Sequence, residues 1–323
     1  MNEAYAKNIA VIGSGYWGKN LVRNHYELGS LAMVCDRDGD ILKSVADQYD
    51  SVETSANFED VLENPAIAGV VVALPAEMHY AYARRALEKR KHVFVEKPLA
   101  LDLSEAEALV ALAKKEDRVL MVGHLLQYHS AYQRLKELVH NGDLGSIQYV
   151  YSNRLSLGKI RREENSLWSF APHDISMILS LCQEEPSKIY ARGGNYLRHE
   201  VADVTITHLD FPSGIKSHIF VSWLHPYKEQ KLVVVGDRKM AVFSDTEEWQ
   251  DKLLLYPHSI TWDNGLPVPQ KAEAERIPVA NDEPLANECR HFLECMQTGR
   301  NPITDGAEGL RVLRVLNEAQ KHL

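Results

Sequence analysis

Residues 8–20 read NIAVIGSGYWGKN, an apolar run followed by glycines and then by residues that favour a helix. The apolar run is typical of a buried strand. Gly13, Gly15 and Gly18 form a GxGxxG pattern. In a dinucleotide site the first glycine permits a tight turn, the second lets the backbone approach a pyrophosphate, and the third lets the helix pack close to the strand. The segment predicts a dinucleotide-binding unit, with a purely structural turn as the alternative.

The second predicted strand supports the dinucleotide interpretation. It ends at Asp36, 21 residues after Gly15. A carboxylate there can hold both ribose hydroxyls and repel a 2′-phosphate, which favours NAD over NADP. Arg37 leaves NADP open, because arginine can accept that phosphate. The cofactor contacts predicted in this region are Gly13, Ser14, Gly15, Tyr16, Trp17, Gly18, Asp36 and Arg37.

Strand and helix patterns alternate over the first 124 residues. NIAVIG, LAMVCD, AGVVVALP, HVFVEKP and VLMVGH are short apolar runs, and amphipathic segments such as YAYARRALEKR lie between them. Runs that are apolar on both faces are typical of a parallel sheet covered by helices. The predicted fold class is therefore α/β, with a Rossmann domain over residues 1–124.

Residues 125–323 follow a different pattern. A series of strand-like segments, from QYVYSNRLSL to KLLLYPHSITW, has few helical patterns between its members, and helices return near the C-terminus. We expect an α+β domain with a large, mostly antiparallel open sheet. One sheet face would carry the substrate pocket and the other would be covered, for example by another subunit. The C-terminal helices can pack back on the first domain.

Composition excludes several function classes. The net charge of −9 argues against nucleic-acid binding, which usually requires a basic surplus. No apolar run reaches the roughly 20 residues of a membrane helix, and the start MNEAYAKN lacks a signal-peptide core, so a cytoplasmic location is expected. Cys35, Cys182, Cys289 and Cys295 show no CxxC spacing, so we expect buried free thiols and no metal site.

Glu96-Lys97-Pro98 ends the predicted strand HVFVE. Open α/β sheets bind ligands outside the carboxyl ends of their strands. A lysine at this position can hydrogen-bond a substrate hydroxyl and stabilise negative charge that develops on its oxygen. Pro98 can fix the loop, including through a cis peptide bond. A surface lysine that pairs with Glu96 is the alternative for Lys97.

Four motifs together resemble the Gfo/Idh/MocA family of oxidoreductases. They are GSGYWG, Leu74-Pro75 with His79, EKP and Gly123-His124. The resemblance extends over essentially the whole chain. It implies a nicotinamide cofactor, chemistry on a sugar or polyol carbon, and homodimers or homotetramers assembled through the open sheet face. His79 can instead cap or pack at the start of its helix. The further cofactor-lining residues implied by the resemblance are Leu74, Pro75, His79, Glu96 and Lys97.

His173 is followed by Asp174 and the apolar segment ISMILSL. Pro172 suits the first turn of a helix, which would put His173 near the helix N-terminus, where the dipole disfavours an imidazolium. A neutral imidazole can take a hydroxyl proton while hydride leaves the same carbon. The family resemblance implies a catalytic histidine here. Lys97 and His173 are therefore the predicted catalytic residues, expected to meet at one carbon.

Ser169 departs from the family pattern. Many family members carry an aspartate four residues before the catalytic histidine, and this chain has serine there. Serine forms hydrogen bonds but supplies no negative charge at neutral pH. We expect Lys97 and His173 to act without that aspartate. Altered chemistry, or a catalytically silent dinucleotide-binding sensor, is the alternative.

Two later segments, LGKIRREENSLW and SWLHPYKEQKL, resemble the nucleotide-sugar branch of the family. That branch oxidises the 3-hydroxyl of substrates of the UDP-N-acetylglucosamine type, and basic side chains can grip a diphosphate. A solvated surface is the alternative for RREE, and a free polyol or aldose such as inositol is the alternative substrate. The predicted substrate-binding residues are Lys97, Gln127, Tyr128, Lys159, Arg161, Trp168, His173 and Lys228.

Overall fold

The computed structural model describes residues 5–158, 160 and 164–323. Lys159 and Arg161, two predicted substrate-binding residues, lie outside the described residues. The chain divides into two compact units. Unit 1 comprises Met1–Leu125 and Glu283–Leu313, and unit 2 comprises Leu126–Asp282 and Arg314–Leu323.

The elements of both units follow in chain order. The strands are β1 (Ile9–Ile12), β2 (Leu31–Cys35), β3 (Glu53–Ser55), β4 (Gly69–Val72), β5 (His92–Glu96), β6 (Leu120–Gly123), β7 (Ile147–Leu155), β8 (Lys188–Gly194), β9 (Val204–Asp210), β10 (Lys216–Ser222), β11 (Glu229–Gly236), β12 (Lys239–Ser244), β13 (Leu253–Pro257), β14 (Ser259–Asp263), β15 (Leu266–Gln270) and β16 (Glu275–Arg276). The helices are α1 (Gly18–Glu27), α2 (Gly39–Gln48), α3 (Phe58–Glu63), α4 (Ala76–Glu88), α5 (Leu103–Glu116), α6 (Ser130–His140), α7 (Ser166–Cys182), α8 (Pro284–Thr298) and α9 (Gly306–Gln320).

The sheet of unit 1 is parallel. Within the described residues it has six strands in the order β3-β2-β1-β4-β5-β6. Strands β1, β4 and β6 are buried along their whole length, as expected for a parallel sheet between helices. The strand order changes direction between β1 and β4, where such sheets bind ligands. The predicted Rossmann fold is confirmed, and the glycine loop follows β1 at this change of direction.

The sheet of unit 2 is mixed. In the described part of the chain it has eight strands in the order β16-β13-β12-β11-β7-β10-β9-β8. Neighbours are antiparallel except β7 and β10, which are parallel, so the prediction of a mostly antiparallel sheet is confirmed. Helix α7 packs against β7, β9 and β10. On β9, Thr205 and Thr207 are buried whereas Ile206 and His208 are exposed, so one face is covered and the other is open.

The described chain was searched for membrane-spanning helices, metal-binding groups and disulfides. No helix in residues 5–158, 160 and 164–323 is long and apolar enough to cross a membrane. Within the same ranges, no group of three histidine, cysteine or acidic side chains is placed to hold a metal ion. All four cysteines are free thiols; Cys182 is half-buried and the others are buried.

Candidate functional site

The glycine loop has the geometry that its sequence predicts. Gly13 has a φ of +88°, and its N–H donates to Cys35 O at 2.8 Å. A Cβ on Gly18 would lie 2.0 Å from Gly13 O, so α1 packs too close to the turn for any side chain. A Cβ on Gly15 would meet no heavy atom within 4 Å. The turn itself therefore requires Gly13 and Gly18, while the space beside Gly15 is open to a ligand.

The Asp36 carboxylate holds the same loop. Its Oδ2 accepts the Ser14 N–H at 2.7 Å, and its Oδ1 accepts the Asp38 N–H at 3.0 Å. Each carboxylate oxygen can accept two hydrogen bonds. These two backbone bonds leave Asp36 able to accept hydroxyl groups as well.

A cavity of about 130 Å³ lies beside Asp36. Arg37 closes part of its edge, because Nη2 of Arg37 donates to the Tyr82 hydroxyl at 3.2 Å. The sequence pattern did not indicate several of the lining residues. Met78 and Tyr82, for example, line the cavity because they lie one turn apart on the same face of α4. The mostly apolar lining suits a flat ring. The lining residues are Ile12, Cys35, Asp36, Arg37, Ala56, Phe58, Leu74, Met78 and Tyr82.

His79 lies inside unit 1, with 1% of its surface exposed. Its Nδ1 lies 2.6 Å from Pro98 O, and its Nε2 lies 2.8 Å from Leu74 O. Burial lowers the pKa of His79, and the two carbonyl contacts oppose this shift. The ring links the turn before α4 to the loop after β5. This geometry supports the packing alternative for His79 over a direct cofactor contact.

The Glu96-Lys97-Pro98 motif ends β5, and its Lys97-Pro98 peptide bond is cis. Nε1 of Trp17 donates to Glu96 Oε1 at 2.6 Å, and the Lys97 N–H donates to Glu96 Oε2 at 3.3 Å. A Cβ on Gly123 would lie 2.9 Å from Glu96 Oε2, so this glycine leaves room for the carboxylate. Glu96 therefore connects the motif to the glycine loop, and Lys97 is half-buried beside it.

His173 is not at a helix N-terminus, and this prediction was wrong. Helix α7 begins at Ser166, and the side chain of Asn165 accepts the Trp168 N–H at 3.2 Å as its cap. Pro172 lies inside the helix, so His173 is two turns from its start. The helix dipole acts mainly within the first turn. It therefore gives no reason for a neutral imidazole at this position.

Asp174 anchors α7 to β7. Its Oδ2 accepts from Nε of Arg154 at 2.6 Å, and its Oδ1 accepts from Nη2 at 3.3 Å and from the Ser152 hydroxyl. Asp174, Arg154 and Ser152 are buried. Sequence analysis missed Arg154 and Ser152, although a charged residue in an apolar helix was a signal that Asp174 has a buried partner. The ion pair fixes the helix turn that carries His173.

The other predicted substrate-binding residues of unit 2 differ in exposure. Gln127 and Tyr128 are each 2% exposed, so little of either side chain reaches the surface, and their contact with a substrate stays a prediction. Trp168 is half-buried and donates through Nε1 to Gln320 Oε1 at 2.9 Å. Lys228 is exposed between β10 and β11. Lys228 and Trp168 remain available as candidate contacts.

Two family models match this chain. "Oxidoreductase family, NAD-binding Rossmann fold" matches residues 7–124, and "GFO/IDH/MocA C-terminal domain" matches residues 132–242. Together these segments make up more than half of the 323 residues.

Individual relatives are similar over almost their whole length. UDP-N-acetylglucosamine 3-dehydrogenase of Acidithiobacillus ferrooxidans is 26% identical, over 94% of this chain and 93% of that protein. Its solved structure has a TM-score of 0.85, with 23% identity over 98% of this chain and 97% of that one. The scyllo-inositol 2-dehydrogenase (NAD(+)) of Bacillus subtilis is also 26% identical, over 91% and 87%. The chain belongs to the Gfo/Idh/MocA family, and it is an oxidoreductase that acts on CH–OH groups with a dinucleotide cofactor.

Proposed function

We propose that this protein is an NAD-dependent dehydrogenase that oxidises a sugar hydroxyl to a ketone. The proposed substrate is a nucleotide sugar of the UDP-N-acetylglucosamine type, oxidised at C3. The similarity to UDP-N-acetylglucosamine 3-dehydrogenase carries this proposal, because it extends over 94% of the chain. The basic residues of LGKIRREENSLW and SWLHPYKEQKL support a substrate with a diphosphate.

Unit 1 fits a dinucleotide. The space beside Gly15 admits a pyrophosphate, and the cavity beside Asp36 suits a base. We assign NAD, because the Asp36 carboxylate repels a 2′-phosphate and Arg37 already donates to Tyr82. When bound, the nicotinamide accepts the hydride that leaves the sugar carbon. The other cofactor contacts that we propose are Ser14, Tyr16, Trp17, Leu74, Pro75, Glu96 and Lys97.

Lys97 and His173 are the proposed catalytic residues. His173 takes the proton of the C3 hydroxyl, and Lys97 donates a hydrogen bond to the same oxygen as negative charge develops. The position of Lys97 at the carboxyl end of β5 supports its role. Ser169 is buried in α7 and supplies no charge, so the two residues act without an aspartate partner. Trp168 and Lys228 are the proposed substrate contacts among the described residues of unit 2.

The open face of the unit 2 sheet is the proposed interface of a homodimer or homotetramer. Tyr149 and Ile206 on this face are 42% and 39% exposed. Tyr151 stacks on His218 with ring centroids 5.2 Å apart. Exposed apolar side chains on one face are typical of interaction surfaces. Ile206→Asp should therefore reduce the molar mass measured by light scattering, and an unchanged mass would contradict this interface.

Substrate choice is tested by following the absorbance of reduced nicotinamide. UDP-N-acetylglucosamine should be turned over with NAD, and myo-inositol and free glucose should be much poorer substrates. The inositol dehydrogenase relative makes a free polyol the second candidate substrate. Turnover of free polyols or aldoses alone would overturn the nucleotide-sugar proposal, and a preference for NADP would overturn the cofactor assignment.

Active-site variants separate an enzyme from a dinucleotide-binding sensor. Lys97→Ala and His173→Ala should each reduce turnover by about 10²–10⁴-fold, because both residues act on the substrate hydroxyl, and the affinity of His173→Ala for NAD should change little. Lys43→Ala and His199→Ala, at exposed positions, are the matched controls. Parent-like turnover of Lys97→Ala and His173→Ala would show that these roles are wrong. Absence of turnover in the parent with every sugar tested would favour the sensor.

A further inference from the structure

Helix α8 buries a carboxyl group that the proposed mechanism does not use. The side chain of Glu288 is 0% exposed, and neither of its carboxyl oxygens has a hydrogen-bond partner among the described residues. An ionised carboxylate in such surroundings would be an unpaired buried charge, which proteins avoid by keeping the proton. Burial raises the pKa of Glu288 well above its ordinary value, and the charge of Glu96 raises it further.

Glu288 and Glu96 extend into the same part of unit 1. The rings of Phe94 on β5 and Phe292 on α8 pack with centroids 5.7 Å apart. Glu96 follows Phe94 by two residues on the strand, and Glu288 precedes Phe292 by four residues on the helix. These spacings keep each glutamate on the same face of its element as the packed ring. The Glu96 carboxyl group is close enough to affect the ionisation of Glu288.

The two carboxyl groups differ in their partners. Glu96 accepts hydrogen bonds from the Trp17 indole and the Lys97 N–H, and such donors favour the ionised form. Burial raises the pKa of Glu96, while Trp17, Lys97 and His124 oppose that shift. Glu288 has no such donors among the described groups. This difference in hydrogen-bond donors therefore favours the ionised form of Glu96 and the protonated form of Glu288.

We propose that Glu288 is a positioning residue of the dinucleotide loop. Glu288 keeps its proton, and Glu96 can therefore stay ionised and accept the hydrogen bond from the Trp17 indole. Loss of this proton would put a second negative charge beside Glu96. That charge would repel the Glu96 carboxylate, which accepts the Trp17 hydrogen bond, and it would also repel a pyrophosphate anion at the glycine loop. Dinucleotide affinity should therefore fall as Glu288 ionises. This consequence for binding rests on the proposed cofactor.

The other ionisable groups in this region come from the elements packed around the pair. His124, after β6, lies 2.6 Å from Glu308 of α9. Burial raises the pKa of the Cys289 thiol, and nearby carboxyl groups raise it further, so the thiol stays neutral in the same pH range. At the start of α8, Glu283 pairs with Arg23 of α1. Lys97 lies next to Glu96 in the chain. Among the described residues, the ionisable groups around the pair therefore include Arg23, Lys97, His124, Glu283, Cys289 and Glu308.

The dinucleotide test compares the parent with Glu288→Gln, which keeps the shape and cannot ionise. NADH binding is measured by fluorescence from mildly acidic to mildly alkaline pH. The parent Kd should rise at least about fivefold across this range, while the Kd of Glu288→Gln stays flat, as expected for coupled sites. Glu294→Gln on the same helix is the control and should follow the parent. Parallel curves for parent and Glu288→Gln would overturn the positioning role.

A second test needs no cofactor. The folded chain holds a proton on Glu288 that the unfolded chain loses above its ordinary carboxyl pKa. Parent stability should therefore fall as pH rises toward the folded-state pKa of Glu288, and Glu288→Gln should lack this fall. The difference in Tm in favour of Glu288→Gln should grow with pH. A difference that is constant with pH would overturn the protonated state.

Infrared spectroscopy of the unmodified protein covers the case in which Glu288→Gln fails to fold. A protonated carboxylic acid has its own carbonyl stretch, which should persist at neutral pH in the parent and vanish as the pH becomes alkaline. If the band is absent at neutral pH, the inference is overturned. A parent that shows the band and binds no dinucleotide would instead refute the proposed function and leave the proton assignment standing.

Discussion

Lys97 and His173 each adjoin a carboxylate in the sequence, and the two carboxylates are held in different ways. Asp174, beside His173, is gripped by the Arg154 guanidinium through two hydrogen bonds. Glu96, beside Lys97, is held by an indole N–H and a backbone N–H, with another carboxyl group behind it. A buried ion pair fixes geometry with its charges balanced. A carboxylate held by neutral donors remains sensitive to any charge nearby.

The largest effect on stability is expected when the Asp174–Arg154 ion pair is removed. Asp174→Ala leaves the Arg154 guanidinium buried without its counter-charge, which should lower the free energy of unfolding by about 3–5 kcal/mol. Urea denaturation measures the change. Glu318→Ala, at an exposed ion pair with Lys321, is the matched control and should change the free energy of unfolding little. An equally small loss for Asp174→Ala would show that the ion pair does not anchor α7.

A smaller effect is expected at the other carboxylate. Glu96→Gln loses the charge assistance in its bonds to Trp17 and to the Lys97 N–H, which should weaken NADH binding about tenfold. The Kd is measured by fluorescence titration. Glu63→Gln, at an exposed pair with Lys89, should bind like the parent. Tight binding by Glu96→Gln would mean that the loop does not need a charged Glu96.

The start of α7 tests how much of the His173 region depends on local structure. Asn165→Ala removes the side-chain cap and should cost about 1 kcal/mol of unfolding free energy. Asn165→Asp can accept the same N–H and should regain most of that loss. Thermal and urea denaturation of the two variants give the comparison. Equal losses in both would show that the cap bond contributes nothing.

The smallest effect should be at the start of α8, where Glu283 forms no side-chain cap bond. Glu283 is partly exposed and pairs with Arg23 of α1. Glu283→Gln should therefore cost less than about 1 kcal/mol, and added salt should reduce the difference from the parent. A large loss that persists at high salt would indicate that this end of α8 is held as firmly as α7.

Local patterns made much of unit 1 predictable. The glycine spacing and the aspartate at the end of β2 depend on residues within one strand–helix–strand unit, so a single sequence displays them. The Trp17–Glu96 bond joins residues that are 79 positions apart. Nothing in either neighbourhood specifies that partner. The cavity beside Asp36 could not be predicted for a similar reason, because its lining residues Phe58 and Tyr82 come from different helices.

The error at α7 has a physical cause. Proline suits the first turn of a helix, and this preference led to a helix start at Pro172. The true cap, Asn165, was a polar residue among several, and the packing of α7 on the sheet holds the helix through the proline. The burial of Glu288 was likewise hidden, because a glutamate in an amphipathic helix usually faces water.

Asp36, which we propose sets the coenzyme choice, also shapes the turn that we propose binds the phosphates. The carboxylate that would read the ribose already holds the Ser14 N–H. Replacing Asp36 with a small neutral residue, to favour NADP, would also release the Ser14 backbone that is proposed to receive the phosphates. Engineers would then need to restore rigidity to the turn before any gain in coenzyme preference could show itself in turnover.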